Sequence, residues 1–358
     1  MAAVTAAREI SVIAWIESLS PWPADGFGLE RMRELLERLG HPERAFPAIH
    51  VVGTNGKSTA ARTIAALLRA EGLRTAAYTS PHVSGWAERL DTDAENFERA
   101  LARIRPDAEA IGATQFEALT AAALAHFVAE EGDVAVVEAG LGGRLDATNV
   151  LDTRVVLLTN VGLEHTDVLG STRDRIAREK LAVVRPGATV VLGEPEWAYL
   201  VPDNQIVLGG AREAAGAFLQ RPVEHEVEVA LAGRLEHRGD EIRDGAHTAE
   251  AVDWLLERLP RIGEYVICGS ILADKDADGM LDRLARAGDT FVATTSSNAR
   301  ALPADELARR AHHPFLHVES IPDPTAALAR ARELARPDGR PVLVTGSLYL
   351  LADLNSTR

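Results

Sequence analysis

Cysteine is almost absent: Cys268 stands alone in 358 residues, which excludes an intramolecular disulfide framework and any cysteine-rich metal site. No apolar run approaches the ~18 residues that would suggest a membrane span. With 46% hydrophobic residues and a mean hydropathy of -0.04, the chain has the balance of a water-soluble globular protein. Basic clusters are missing as well. The formal charge of -15 arises from 53 acidic against 38 basic side chains spread along the chain, whereas a nucleic-acid backbone is held by concentrated Lys and Arg. Neither a nucleic-acid nor a membrane partner is therefore expected. The opening "MAAVTAAREISVIAWIESL" places Arg8, Glu9 and Glu17 among its apolar residues, so it lacks the uninterrupted core of a secretory signal. A cytoplasmic monomer is the expectation. Internal repeats and low-complexity tracts are also missing.

What the chain does have is alternation. "LERMRELLERL" spaces its apolar residues along one helical face, "AIHVV" (48–52) reads as a buried strand, and Gly53–Gly56 as a turn. An Ala- and Leu-rich helix follows, ended by Gly72. The order continues with strands in "RTAAYTS", "DVAVVEAG" and "RVVLLTNVG" and helices in "FEALTAAALAHFVAEEG" and "TRDRIAREKLAVV". Val-rich runs without polar alternation imply strands covered on both faces, hence an α/β fold with a mostly parallel sheet whose ligands collect at the carboxyl ends of its strands. The pattern becomes irregular between about 195 and 235 and then resumes with "TAEAVDWLLERL", "EYVICGS", "ADGMLDRLARAG", "TFVATTS", "PTAALARARELA" and "PVLVTGS". Two domains are expected, residues 1–232 and a smaller α/β domain at 233–358.

The chemistry begins at "GTNGKST". Backbone N–H groups of a glycine turn at a helix N-terminus converge on one concavity and meet the positive end of the helix dipole, which favours phosphate. Gly53, Thr54, Asn55, Gly56, Lys57, Ser58 and Thr59 make up this loop, with Lys57 able to reach the β- and γ-phosphates and the Ser58 or Thr59 hydroxyl able to meet Mg2+. The first glycine of the usual G-x-x-x-x-G-K-[ST] pattern is replaced by Val51. By itself the loop leaves kinase, GTPase, ATPase and ligase open. Further strand ends add Ser80, Glu138, and Glu164 with His165, oxygen and nitrogen donors suited to a divalent cation completed by water and phosphate. Read alone, Glu138 could cap a helix, His165 could be a hydrogen-bonded core histidine, and Lys180 is one more charge on an amphipathic helix.

Together, "HVVGTNGKST", "YTSPH", "TQFEALTAAALAHFV", "VAVVEAGLGGRLDATNV", "LTNVGLEHTDVLGSTRDRIAREKLAVVRPG", "DGAHTAEAV", "ILADKD" and "TGSLYLLADL" resemble folylpolyglutamate synthase and its bifunctional dihydrofolate synthase form, within the Mur-type amide ligases. The resemblance covers most of residues 13–195 and 233–354. It implies an N-terminal P-loop NTPase-like domain on a parallel sheet and a smaller C-terminal Rossmann-like α/β domain, with the active site in the cleft between them. It implies ATP as co-substrate, L-glutamate and a folate or dihydropteroate as partners, and two Mg2+ ions. By resemblance, Ser58, Ser80 and Glu138 serve one metal, and Glu138, His165 and a carbamylated Lys180 the other. Arg234 and Asp244 contact the nucleotide, and His247 lies near the phosphate and the incoming amine; with Lys57, His165 and Lys180 it completes the catalytic set. His82, Asp146 and Ser347 fall on the substrate side. A related ligase with another carboxylate acceptor, or a nucleotide-binding pseudoenzyme, is the alternative.

The chain departs from the family in four places. Ser58 follows Lys57 where a glycine is usual, the basic-Asn-Gly stretch after "YTSPHVSGWAERL" is missing, Thr248 replaces an asparagine after "DGAH", and the 195–233 region is short. In that region Glu213 stands where an adenine-holding asparagine is expected.

Overall fold

Every residue of Ala48–Val52 (β1) is buried, His50 included, as expected of a strand covered on both faces. The strand is central in the structure, a computed structural model that describes residues 11–23 and 26–356. The first ten residues, part of the stretch read above for a secretory core, lie outside the described residues. Chain contacts divide the molecule into two units, residues 1–80 with 86–229 and residues 81–85 with 230–358. A single cut near residue 232 would leave Pro81–Gly85 with the first unit. Instead Val83 packs into an apolar cluster of the second, and its carbonyl accepts a hydrogen bond from Asn355.

The first unit is built on β1, Thr75–Tyr78 (β2), Val134–Glu138 (β3), Thr153–Leu158 (β4), Thr189–Leu192 (β5) and Gln205–Leu208 (β6). They form one sheet in the order β2-β3-β1-β4-β5-β6, with every pair parallel. Side chains alternate across it. Ile49 and Val51 of β1, Val134 and Val136 of β3, and Val155 and Leu157 of β4 share one cluster with the helix Lys57–Ala70 and Ala214 and Ala215 of the helix Ala211–Leu219. The helix Lys57–Ala70 buries Ile64, Leu67 and Leu68 at i, i+3, i+4 spacing, each worth roughly 1.5–3 kcal/mol once removed from water. The opposite face packs against Ala94–Ile111 and Gln115–Ala129 at one end, and Arg173–Leu181 at the other. The irregular 195–235 region thus holds a strand and a helix. β6 escaped the sequence reading because it is a half-exposed edge strand without a long apolar run.

The second unit carries Glu236–Arg238 (β7), Glu241–Arg243 (β8), Val266–Gly269 (β9), Thr290–Ala293 (β10), His317–Ser320 (β11) and Val342–Thr345 (β12). Their order is β11-β10-β9-β12-β8-β7, parallel throughout except for the β7–β8 hairpin. Strand order reverses between the parallel neighbours β9 and β12, the topological switch point at which open α/β sheets leave a crevice. Ala249–Leu256, Ala277–Leu284 and Ala304–Ala311 cover one face, and Pro324–Ala335 and Leu348–Ser356 the other. Among the described residues no helix is long and apolar enough to cross a membrane.

Candidate active site

Strand β1 runs into the glycine loop, and its geometry starts from Gly53. The residue has φ 148, and a Cβ there would lie 1.9 Å from Thr159 Oγ1, so only glycine allows the loop to lie against the end of β4. The contact is reinforced on both sides. Thr54 N–H donates to the Asn160 carbonyl at 3.0 Å, Asn55 N–H to Asn160 Oδ1 at 2.8 Å, Thr159 Oγ1 to the Asn55 carbonyl at 2.8 Å, and Gly162 N–H to Thr54 Oγ1 at 2.9 Å. Within the loop expected to hold the nucleotide, the amides of Thr54 and Asn55 are thereby spent inside the protein. Gly56, at φ 77, opens the helix, whose first internal bond runs from Ala60 N–H to the Gly56 carbonyl at 2.9 Å. The amides of Lys57, Ser58 and Thr59 precede that ladder and form the positive helix end.

The functional side chains gather around this helix start. Ser58 Oγ lies 3.1 Å from Glu138 Oε1, and Ser80 N–H donates to Glu138 Oε2 at 3.0 Å. Of the two hydroxyls that the sequence left open, Ser58 is therefore the one that meets the carboxylate. Register explains the meeting: Val51 pairs with Glu138 across β1 and β3, and Tyr78 with Val137 across β2 and β3, so three adjacent strands end together. Lys57 Nζ donates to the Thr54 carbonyl at 3.0 Å. Lys180, only 2% exposed, projects from the helix Arg173–Leu181 and donates to the Gly53 carbonyl at 2.8 Å and to Glu164 Oε1 at 2.9 Å. It is no surface charge.

Burial pushes the Lys180 amine down, against the pull of Glu164, to about 8. Burial pushes the Glu164 carboxyl up, but Lys57 and Lys180 outweigh it and hold the group below its ordinary range. The sequence offers Glu164, with His165, as a donor for a divalent cation; its pairing with Lys180 is not legible there, and a buried lysine needing a counter-charge is the signal that finds it. His165 lies in the left-handed region at φ 46, a conformation that costs on the order of 1 kcal/mol and persists where the surroundings require it.

A serine hydroxyl and a carboxylate oxygen at the anion-binding helix start are hard donors, which fits Mg2+. Among the described residues no group of three or more His, Cys, Asp or Glu side chains forms a metal-holding cluster. The second expected set, Glu138, His165 and Lys180, is not assembled as an anionic cage, since the Lys180 amine is directed at Glu164 and Gly53. Asp146 is 6% exposed and accepts from Leu141 N–H at 2.7 Å and Thr148 N–H at 3.0 Å, so its carboxylate organises its own turn.

In the second unit, Asp244 accepts from Leu235 N–H at 2.7 Å and Ala246 N–H at 2.8 Å, and Arg234 Nη1 donates to the Gly233 carbonyl at 3.1 Å. Burial raises the Asp244 carboxyl, and these bonds and Arg234 oppose it. His247 Nδ1 lies 2.8 Å from the Gly245 carbonyl, which can only accept, so Nδ1 carries a proton. Ser347 is 1% exposed and caps the helix Leu348–Ser356 through a bond from Tyr349 N–H at 3.2 Å. Sequence reading missed its neighbours at the switch point. Ser270, Ser296 and Thr345 are buried there, and the Ser296 and Thr345 hydroxyls lack a protein partner. His82 lies in Pro81–Gly85.

Comparison with known proteins decides the family. The Mur ligase middle domain matches residues 51–192, and the Mur ligase glutamate ligase domain matches residues 233–348. The chain is 35% identical to the dihydrofolate synthase/folylpolyglutamate synthase of Bacillus subtilis (strain 168), across 91% of this chain and 94% of that one. The chain belongs to the folylpolyglutamate synthase/dihydrofolate synthase family. Its fold is correspondingly similar to the Mycobacterium tuberculosis folylpolyglutamate synthase complexed with ADP, with a TM-score of 0.85 and 27% identity over 97% of both chains. The Yersinia pestis bifunctional enzyme with Mn, AMPPNP and L-glutamate bound gives a TM-score of 0.81 and 27% identity over 97% of this chain and 98% of that one. Membership in this family makes the chain an ATP-dependent ligase of the Mur type and removes the generic kinase and GTPase readings of the loop.

Proposed function

We propose that this protein is a cytoplasmic, monomeric, magnesium-dependent ligase that joins L-glutamate to a folate or dihydropteroate carboxylate. The γ-phosphoryl group of ATP passes to the acceptor carboxylate, giving an acyl phosphate. The glutamate amine then attacks the acyl carbon, the amide C–N bond forms, and inorganic phosphate leaves with the C–O electron pair. The observation that carries the reading is the convergence of Lys57, Ser58, Glu138 and the Lys180–Glu164 pair at the carboxyl end of one parallel sheet.

Each residue then has a physical task. The amides of residues 57–59 and the Lys57 ammonium hold the β- and γ-phosphates, where fixed positive charge stabilises the transferring group without reorganisation. Ser58, Ser80 and Glu138 would hold Mg2+, which supplies charge neutralisation on the phosphates when bound. His165 and Lys180 would serve a second ion. Lys180 suits carbamylation because an amine brought down to about 8 keeps a neutral, nucleophilic fraction near neutral pH that can take up CO2. His247 would accept the proton released by the attacking amine. Arg234 and Asp244 would contact the nucleotide, while His82 and Asp146 lie on the acceptor side. The hydroxyls of Ser270, Thr345 and Ser347 at the switch point suit the polar amino acid.

The test is a mass-spectrometric assay of ATP, L-glutamate and a panel of pteridine carboxylates, run with phosphate release. Amide product and phosphate release that both require glutamate and acceptor are expected. Product with another amino acid or another carboxylate alone would replace the substrate assignment, and nucleotide binding with no product from any pair would overturn the ligase reading of this chain.

A further inference from the structure

His50 is fully buried in β1, three residues before Gly53, and no step of the reaction uses it. It faces away from Ile49 and Val51, which pack against the helix Lys57–Ala70, and so points to the other side of the sheet. There its Nε2 lies 2.8 Å from Thr148 Oγ1, while Nδ1 is buried with no partner. Thr148 Oγ1 also lies 2.5 Å from Asp146 Oδ1. The hydroxyl has one proton to give. Burial pushes the Asp146 carboxyl up, and the bonds from the Thr148 hydroxyl and the Leu141 and Thr148 amides oppose it; as a carboxylate it only accepts. Thr148 therefore donates to Asp146, and its oxygen accepts from His50 Nε2–H. This direction leaves at Nδ1 a lone pair rather than an N–H without an acceptor, and buried orphan N–H groups are the rarer of the two.

The turn held in this way has further contacts. It begins directly after Glu138, and its Arg144 N–H donates to the Glu179 carbonyl at 3.1 Å. A Cβ on Gly143 would lie 2.6 Å from the Lys180 carbonyl, so the turn rests against the helix that delivers Lys180. Asn149, at its far end, accepts from Arg185 Nη2 at 2.8 Å through Oδ1. The residue 139–149 turn is thus keyed to three things at once: the strand entering the phosphate loop, the end of the strand carrying Glu138, and the Lys180 helix.

We propose that His50 is a positioning residue, and that the His50–Thr148–Asp146 chain sets Glu138 and the Lys180 helix in register with the phosphate loop. The proposal rests on the ligase reading above for its kinetic consequence. The chain touches no residue of the phosphate loop, so breaking it should slow turnover without weakening nucleotide binding.

Four variants separate positioning from mere packing. Thr148→Val removes the hydroxyl at constant shape and Thr148→Ser keeps it; His50→Leu removes the side-chain N–H and His50→Gln keeps one. Thr148→Val and His50→Leu should each lower kcat about ten- to hundred-fold, the scale of a displaced reacting group, while calorimetric Kd for a non-hydrolysable ATP analogue stays within about two-fold. Thr148→Ser and His50→Gln should recover most of the loss, and the double variant His50→Leu/Thr148→Val should be no worse than its worse parent beyond about two-fold, because one chain is cut twice. A Thr148→Val enzyme with kcat close to wild type, or one that loses nucleotide affinity in step with turnover, overturns the proposal. Should the wild-type protein form no amide product, the ligase reading has failed separately, and amide hydrogen exchange at Leu141 and Thr148 decides the chain. Faster exchange in Thr148→Val than in Thr148→Ser supports it, and equal exchange refutes it.

Discussion

Lowering the pH from about 7.5 to about 5 charges an ordinary histidine, and His50 is placed so that the fold resists it. Burial, aided by the Arg185 charge, brings the imidazole from its usual 6.5 down to about 3. The folded protein therefore keeps the ring neutral while the unfolded chain takes up a proton below 6.5. In that window the unfolded state binds more protons, so stability rises with pH: the contribution is complete above 6.5 and drains away as the pH falls toward 3. At 1.36 kcal/mol per unit, the cost of this one residue reaches about 2 kcal/mol by pH ~5 and about 4 to 5 kcal/mol at its limit. Four of the five tryptophans (Trp15, Trp22, Trp86 and Trp197) lie in the first unit, so replacing Trp254 by Phe makes fluorescence-monitored urea unfolding report on that unit. Measured at several pH values, the His50 protein should lose about 2 kcal/mol more than His50→Gln between pH ~7.5 and ~5, because glutamine does not titrate. Parallel pH profiles, within about 0.5 kcal/mol, would show that the ring is solvated or paired and would refute the reasoning.

Glu138→Gln retains the shape and the Ser80 contact but removes the charge, and kcat should fall by about a hundred- to a thousand-fold at saturating Mg2+; a near-normal rate would end its assignment as a metal ligand. Lys180→Ala leaves the Glu164 carboxylate buried without its partner, so denaturant unfolding of the metal-free protein should show a loss of about 3–5 kcal/mol. Short-chain carboxylates should return part of its activity if a carbamate is the working form, whereas unaffected turnover would make the lysine purely structural. Asn160→Ala deletes the acceptor for Asn55 N–H and should cost about 1 kcal/mol of nucleotide affinity, roughly five-fold in Kd by calorimetry; unchanged affinity would show that the glycine loop holds its shape without this brace.

The sequence made some parts of this molecule readable because local chemistry and tertiary role coincide there. A Val-rich strand, a glycine turn and a helix with Lys57 and Ser58 at its start can be read as one unit, and Glu138 stands out as a carboxylate closing an apolar strand. The edge strands β6, β7 and β11 were not readable, since an edge strand buries only part of its surface and carries polar residues such as Gln205, Glu236 and Glu319. Other features depend on distance rather than order. Glu164 and Lys180 are 16 positions apart, and His50 and Thr148 are 98 apart, so neither pair can be found by periodicity. Likewise nothing local in "TNVG" reveals that Asn160 takes the amides of Thr54 and Asn55 and Thr159 the carbonyl of Asn55.

Three departures from the family pattern acquire a common explanation from where they fall. Ser58 is the second residue of the helix Lys57–Ala70. Thr248 is the N-cap of Ala249–Leu256, its side chain accepting from Ala251 N–H at 3.2 Å, work that an asparagine in that position can also do. Glu213 is the third residue of Ala211–Leu219, and its carboxylate accepts from Gly210 N–H at 2.7 Å, the reach-back expected of an acid at that position. All three lie at helix starts, where short polar and acidic residues are selected by orphan N–H groups whatever the ligand. For Thr248 and Glu213, capping accounts for the side chain fully, so the asparagine-to-glutamate change says more about how the compact 195–235 region closes than about the base that is bound. Ser58 is different, because its hydroxyl leaves its own helix to meet Glu138. Of these departures it is the one that adds an oxygen beside the Glu138 carboxylate, and it does so where the family usually places a glycine that has none to offer.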